Sequence, residues 1–152
     1  MTRSSSITTA VTVAEIAEIR PLVRAHIEFE RSAAVLAHVW AETIAEHVAA
    51  GRLAVFVARQ SGTAVGYATV TTDVATWTGE PFAHLDCVYV AEDSRGTGVG
   101  RRLVEAAANN ARARGLSELQ WQTPAWNEAA IRFYERLGAG HRSKERFTLR
   151  LA

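Results

Sequence analysis

Residues 92–107 read EDSRGTGVGRRLVEAA, with glycines at 96, 98 and 100 set between an apolar run and a helix-like pattern. Such an arrangement can bind an anion. The first amides of a helix have no intrahelical acceptor and sit at the positive end of its dipole, so a glycine turn can aim several N–H groups at one phosphate. The candidate amides are those of Gly96, Thr97, Gly98, Val99, Gly100 and Arg101, and Arg95 or Arg101 can add charge. A bare tight turn would use the same glycines. Two other phosphate loops fail on spacing. Gly100 is followed by Arg-Arg-Leu, where a Walker A loop needs Lys and then a hydroxyl residue. Gly-x-Gly-x-Gly is also not the dinucleotide fingerprint, and the next strand-like run ends in Gln122-Thr123 without the acid that would bind a ribose.

The elements that must carry this loop follow from periodicity. A strand is expected over 6–10, and Thr12-Val-Ala-Glu15 has the capping-box spacing that opens a helix. Ile16, Ile19, Val23 and Ile27 mark its apolar face, with a kink or short break at Pro21. A second helix is predicted over 33–50 from Leu36, Trp40, Ile44 and Val48, stopped by Gly51. Runs 53–58 and 64–71 are β-branched and aromatic, and Gln-Ser-Gly-Thr between them reads as the turn of an antiparallel hairpin. Residues 73–83, with Gly79 and Pro81, read as a longer loop before a strand over 83–90. The loop helix shows a stripe of Leu103, Ala107 and Ala111 and ends at Gly115. A strand over 117–123, a helix over 127–138 and a last strand over 145–151 complete the order, with one domain over 1–152.

Arg95-x-x-Gly98-x-Gly100, following a strand with Val88-Tyr89-Val90, resembles the pyrophosphate loop of the GNAT superfamily of N-acetyltransferases. Residues 126–139, WNEAAIRFYERLGA, are similar to that superfamily's C-terminal motif. Leu85-Asp86-Cys87-Val88-Tyr89-Val90 and the Trp126-Asn127 pair are nearest to its spermidine/spermine N-acetyltransferase-like branch. The resemblance implies an α/β (α+β) fold: a mixed, mostly antiparallel sheet flanked by helices and splayed where acetyl-CoA enters. It implies acetyl-CoA as co-substrate, with the backbone of Val88, Tyr89 and Val90 along the pantetheine arm and a strand amide on the developing oxyanion. It also implies a homodimer.

Within that resemblance, Asp86 stands where the branch has an acid facing the acceptor, and Tyr134, seven residues after Asn127, stands where a hydroxyl returns a proton to the leaving thiolate. The proton problem is real, because an amine of lysine-like pKa is neutral in only about one part in 2500 at pH 7. Asn127 would bond the pantetheine arm. Each residue has a plainer alternative: a strand-edge Asp bonded to backbone amides, a core aromatic beside Ile131 and Leu137, and a helix cap. Asp86 is one methylene shorter than the branch's usual glutamate, and Cys87 stands where a second acid often appears. Both departures weaken a long polyamine as the acceptor.

Other signals bound the reading. Trp77, Glu28 and Glu30 could line an acceptor side suited to a cationic amine, although solvation explains the glutamates equally well. The five histidines show no metal-ligand spacing, so no metal is expected. Lys+Arg 17 against Asp+Glu 16 give a net charge of +1, which argues against nucleic acid as a partner. No run approaches the apolar length of a membrane span, and one cysteine with no leader pattern points to the cytoplasm. The expected function is acetyl transfer to the primary amine of a small molecule. Transfer to a protein N-terminus or lysine, and a non-catalytic acyl-CoA sensor, remain as alternatives.

Overall fold

A computed structural model describes residues 4–152. The chain forms two compact units, Met1–Trp121 and Gln122–Ala152. In the first, β1 (Ser5–Thr9), β2 (Ala54–Gln60), β3 (Thr63–Ala75), β4 (Glu80–Val90) and β5 (Leu119–Gln120) form one sheet in the order β1-β2-β3-β4-β5. The first three pairings are antiparallel, whereas β5 runs parallel to β4. The expected mixed, mostly antiparallel sheet is therefore present.

The helices cover both faces. α1 (Val13–Ala17) opens with the capping box, in which Glu15 N–H donates to Thr12 Oγ1 at 3.2 Å and Thr12 N–H donates to Glu15 at 2.9 Å. The break falls at residues 18–19, and Pro21 sits in the first turn of α2 (Arg20–Phe29), where its missing N–H costs nothing. With α3 (Trp40–Ala49), these helices bury Ile16, Ile19 and Ala41 against Val55, Val57 and Tyr67. On the other face α4 (Val99–Ala113) buries Val99, Leu103, Ala107 and Ala111. Its close approach depends on Gly66, where an added Cβ would lie 2.9 Å from the Tyr89 carbonyl and 3.1 Å from Leu103.

Four expectations are corrected. The helix predicted over 33–50 begins only at Trp40, because Arg20 donates to the carbonyls of Ala37 (3.3 Å) and His38 (3.1 Å), and Arg31 turns through φ 57. Residues 73–83 are no long loop. β3 and β4 stay paired from Asp73↔Phe82 to Ala75↔Glu80, and Gly79, at φ 72, closes the turn. Pro81 is tolerated because Ala83 N–H, on the same side of β4, donates away from β3 to Glu118 O. The strand over 117–123 shrinks to Leu119–Gln120. Residues 145–151 form no strand, and Phe147, Leu149 and Leu151 are exposed.

The second unit holds α5 (Glu128–Arg136), capped by Asn127 and ended at Gly138 with φ 88. No helix among the described residues is long and apolar enough to cross a membrane.

Candidate active site

The quoted loop leaves β4 through Ala91, whose N–H donates to Val65 O at 2.8 Å, and passes a short 3-10 turn over Glu92–Ser94. Gly96 and Gly98 take φ 75 and 85, and Gly98 is the residue before α4. No side chain caps this helix, in contrast to α1 and α5. Its ladder starts with Arg102 N–H to Gly98 O, so the amides of Val99, Gly100 and Arg101 open outward without an intrahelical acceptor. An added Cβ on Gly96 or Gly98 would meet nothing within 4 Å, which leaves the loop's concave side open. These residues fit a phosphate-bearing ligand.

The loop is held from below by a residue the sequence did not single out. Gln60, buried at the end of β2, accepts from Ser94 Oγ at 3.2 Å and donates to Thr97 Oγ1 at 3.3 Å. Thr97 Oγ1 in turn donates to Ser94 O at 2.6 Å. Arg95 is folded back: its Nε donates to Val90 O at 3.0 Å, and its guanidinium lies 4.9 Å from the Phe29 ring centroid and 5.4 Å from that of Tyr89. Arg101 is exposed, 4.0 Å from Glu105.

Along β4, Thr69 pairs with Cys87 but Val70 pairs with Leu85, so Asp86 is an extra residue in a β-bulge. In a regular strand, neighbours point to opposite faces. The bulge re-aims Asp86 so that it and Cys87 line the same cavity of about 130 Å³. β5 pairs with β4 only at Ala83 and His84, and among the described residues no strand pairs with that edge over Val88, Tyr89 and Val90. The splay expected at this point is present.

The cavity's polar end is formed by Asp86, Cys87, Tyr67 and Thr69. Burial, then the nearby Asp86 carboxylate, pushes the Cys87 thiol up to about 12, so it is a protonated packing group and not a nucleophile. Burial likewise drives the Tyr67 hydroxyl far above its ordinary range, with Cys87 adding to the shift. The hydroxyl lies 2.7 Å from His26 Nδ1, while His26 Nε2 lies 3.1 Å from Glu30 Oε1. A carboxylate only accepts, so in the neutral ring Nε2 carries the hydrogen and Nδ1 accepts from Tyr67. His26 also stacks on Tyr89 at 5.0 Å. Glu30 thus serves His26 and does not line the cavity. Trp77 is 99% exposed at the β3-β4 hairpin tip and does not line it either.

In the sequence His26 is one of five histidines without metal-ligand spacing. Its spacing four residues before Glu30 on a helix was the available signal; its partner Tyr67, on a distant strand, left none. In the second unit, Asn127 Oδ1 accepts from Ala130 N–H at 3.2 Å, so it caps α5. Tyr134 lies mid-helix with its ring 5.2 Å from that of Phe133. Among the described residues no group of three or more His, Cys, Asp or Glu side chains is placed to hold a metal ion.

A bulged strand with an unpaired edge leads into an uncapped, glycine-opened helix, which is the arrangement that the sequence resemblance implies. The profile of the Acetyltransferase (GNAT) family matches residues 19–139, and the chain belongs to that family. It is 32% identical over 80 residues to thialysine N-epsilon-acetyltransferase of Sus scrofa, covering 53% of this chain and 46% of that protein. It is 36% identical over 86 residues to IAA acetyltransferase of Azospirillum brasilense, covering 57% and 54%. The chain thus spans about half the length of these curated relatives. In fold it is similar to an aminoglycoside acetyltransferase from an uncultured soil metagenomic sample in complex with sisomicin. There the TM-score is 0.83 at 17% identity, covering 97% of each chain. An aminoglycoside N-acetyltransferase in complex with CoA gives a TM-score of 0.81 at 19% identity, covering 98% of this chain and 96% of that one.

Proposed function

We propose that this protein is an acetyl-CoA-dependent N-acetyltransferase that transfers the acetyl group directly to the primary amine of a small molecule. The observation that carries the reading is the continuity of one strand. β4 holds Asp86 in a bulge at the cavity, runs on with an edge that no strand among the described residues pairs over residues 88–90, and leads through the glycine loop into the uncapped α4. A carboxylate for an amine and an anion cradle for a nucleotide-bearing thioester thus lie along one continuous run of chain, residues 86–101. A single catalytic domain over both units belongs to this reading, supported by a family match that runs across residue 122.

Acetyl-CoA supplies an activated acyl group and a thiolate leaving group. The protein's own residues do the rest. The amides of Gly96 to Arg101 hold phosphate oxygens, and the backbone of Val88 to Val90 aligns the thioester arm. Arg101 adds positive charge at the open helix end, and Arg95 does so on leaving its stacked position. Asp86 binds the ammonium and takes its proton, directly or through water. The Tyr67, His26 and Glu30 chain orients the cavity's polar end and runs out to an exposed carboxylate. Tyr134 is the proton donor to the thiolate, a role that rests on its place in the WNEAAIRFYERLGA motif. Asn127 supports α5 as its cap. A cytoplasmic homodimer completes the reading, supported by the family resemblance and by the free thiol of Cys87.

Screening amines for acetyl-CoA-dependent thiol release tests the activity. Tyr134→Phe should lower kcat by about 10²-fold with acetyl-CoA affinity unchanged. Equal turnover would remove Tyr134 from the mechanism.

A further inference from the structure

Away from its polar end the cavity is apolar. Val23 of α2, Trp40 and Ile44 of α3, Leu53 and Val55 form the wall. Two features decide what such a space can hold. The first is volume: about 130 Å³ is slightly below the roughly 150 Å³ of a dry apolar cavity that accepts benzene. The second is the polar inventory. Among the described residues Asp86 is the only carboxylate lining the cavity, and Thr69 Oγ1, also in the lining, is buried with no hydrogen-bond partner beyond the weakly interacting Cys87 thiol. A buried hydroxyl without a partner costs stability unless a ligand satisfies it.

One carboxylate accommodates one ammonium. A second cation on the same molecule would be desolvated against Val23, Trp40 and Ile44, and a ligand carboxylate would be repelled by Asp86. We infer that the acceptor is a compact monoamine: one primary amine on an apolar body no larger than about one benzene ring, of the arylalkyl or branched-alkyl class. The ammonium sits at Asp86 with one N–H to Thr69 Oγ1, and the body fills the wall formed by α2, α3 and β2. This assignment rests on the acetyl-transfer reading above for its chemistry, but not for its geometry. It sets the protein apart from acceptors that carry several cations or many hydroxyls.

The test uses the whole chain with acetyl-CoA and five amines: benzylamine, 1-naphthylmethylamine, methylamine, 1,4-diaminobutane and lysine. Benzylamine should exceed diaminobutane and lysine in kcat/KM by at least about tenfold. Ile44→Phe, which fills the wall, should lower kcat/KM for benzylamine at least about tenfold, leaving methylamine and the KM of acetyl-CoA little changed. Ile44→Ala should do the reverse and raise 1-naphthylmethylamine relative to benzylamine. A wild-type preference for the diamine or lysine, or an equal loss on benzylamine and methylamine in Ile44→Phe, would overturn the inference. Calorimetric titration of benzylamine into the CoA-saturated protein separates the two claims. Binding that Ile44→Phe abolishes, without turnover of any amine, would sustain the cavity and sink the acetyl-transfer reading. Absence of both binding and turnover would sink the cavity assignment.

Discussion

The glycine loop and the cavity at Asp86 are built in opposite ways. The loop is built from consecutive residues, and its donors are backbone amides, so what matters is the conformation that Gly96 and Gly98 permit at φ 75 and 85. The cavity is built from side chains gathered between residues 19 and 87, and its one charged group is re-aimed by a bulge. A backbone site changes little when neighbouring side chains change. A side-chain site is altered by almost any substitution in its wall. In the proposed reaction the phosphate-bearing half is therefore carried by local sequence, whereas the acceptor half is carried by packing.

The difference can be broken most decisively at Asp86. Asp86→Asn should lower kcat/KM at neutral pH by about 10³-fold while acetyl-CoA binding is retained. The loss should shrink as pH rises toward the amine's own pKa, because the substrate then arrives neutral. Profiles that run parallel at every pH would make Asp86 a positioning residue. A similar magnitude is expected of Cys87. With its pKa raised to about 12, its thiolate fraction at pH 8 is about 10⁻⁴, against about 0.24 for an exposed thiol. Alkylation by iodoacetamide, followed by mass spectrometry, should therefore run about 10³-fold slower than for a free thiol and accelerate as pH rises toward 12. Rapid labelling at pH 8 would mean that the cavity's polar end is open to water.

On the backbone side the expected effect is somewhat smaller. Gly98→Val forces a β-branched residue to φ 85, so the open end of α4 must rearrange. Affinity for acetyl-CoA, read by calorimetry, should fall about 10²-fold in a variant whose circular dichroism is unchanged. Retained affinity would show that the amides are not the anchor. The smallest effect belongs to a helix end that carries its own cap. Thr12→Ala removes the capping box of α1 and should cost about 1 kcal/mol in chemical denaturation with catalysis intact. A catalytic defect in this variant would tie α1 to the site.

Legibility follows the same division. The loop, the α1 capping box, the break before Pro21 and the stripe of α4 were readable because each is decided by neighbours in sequence. Asp86 was readable as a residue but not as a bulge, since the extra residue exists only against Thr69 and Val70 of β3. The late start of α3 depends on Arg20 reaching Ala37 and His38. Pro81 and Gly79 look like loop formers until the direction of the missing N–H is known. Alternation over 145–151 satisfies the strand pattern, yet a strand needs a partner, and none among the described residues pairs with it. His26 and Tyr67 are forty-one positions apart, so their contact was beyond any local rule.

Arg95 links the glycine loop to the aromatic residues beside the cavity. Its guanidinium rests on Phe29 of α2 and on Tyr89, the ring against which His26 stacks. An anion that draws Arg95 toward the loop gives up those contacts, each worth roughly 0.5–1 kcal/mol at an exposed site. The aromatic stack beside the cavity then loses its cationic lid. Any change this makes in amine affinity must be returned, factor for factor, in the affinity for the anion. Arg95 thus ties the glycine loop to the aromatic stack beside the cavity, so that under the proposed function a displacement of one is felt at the other.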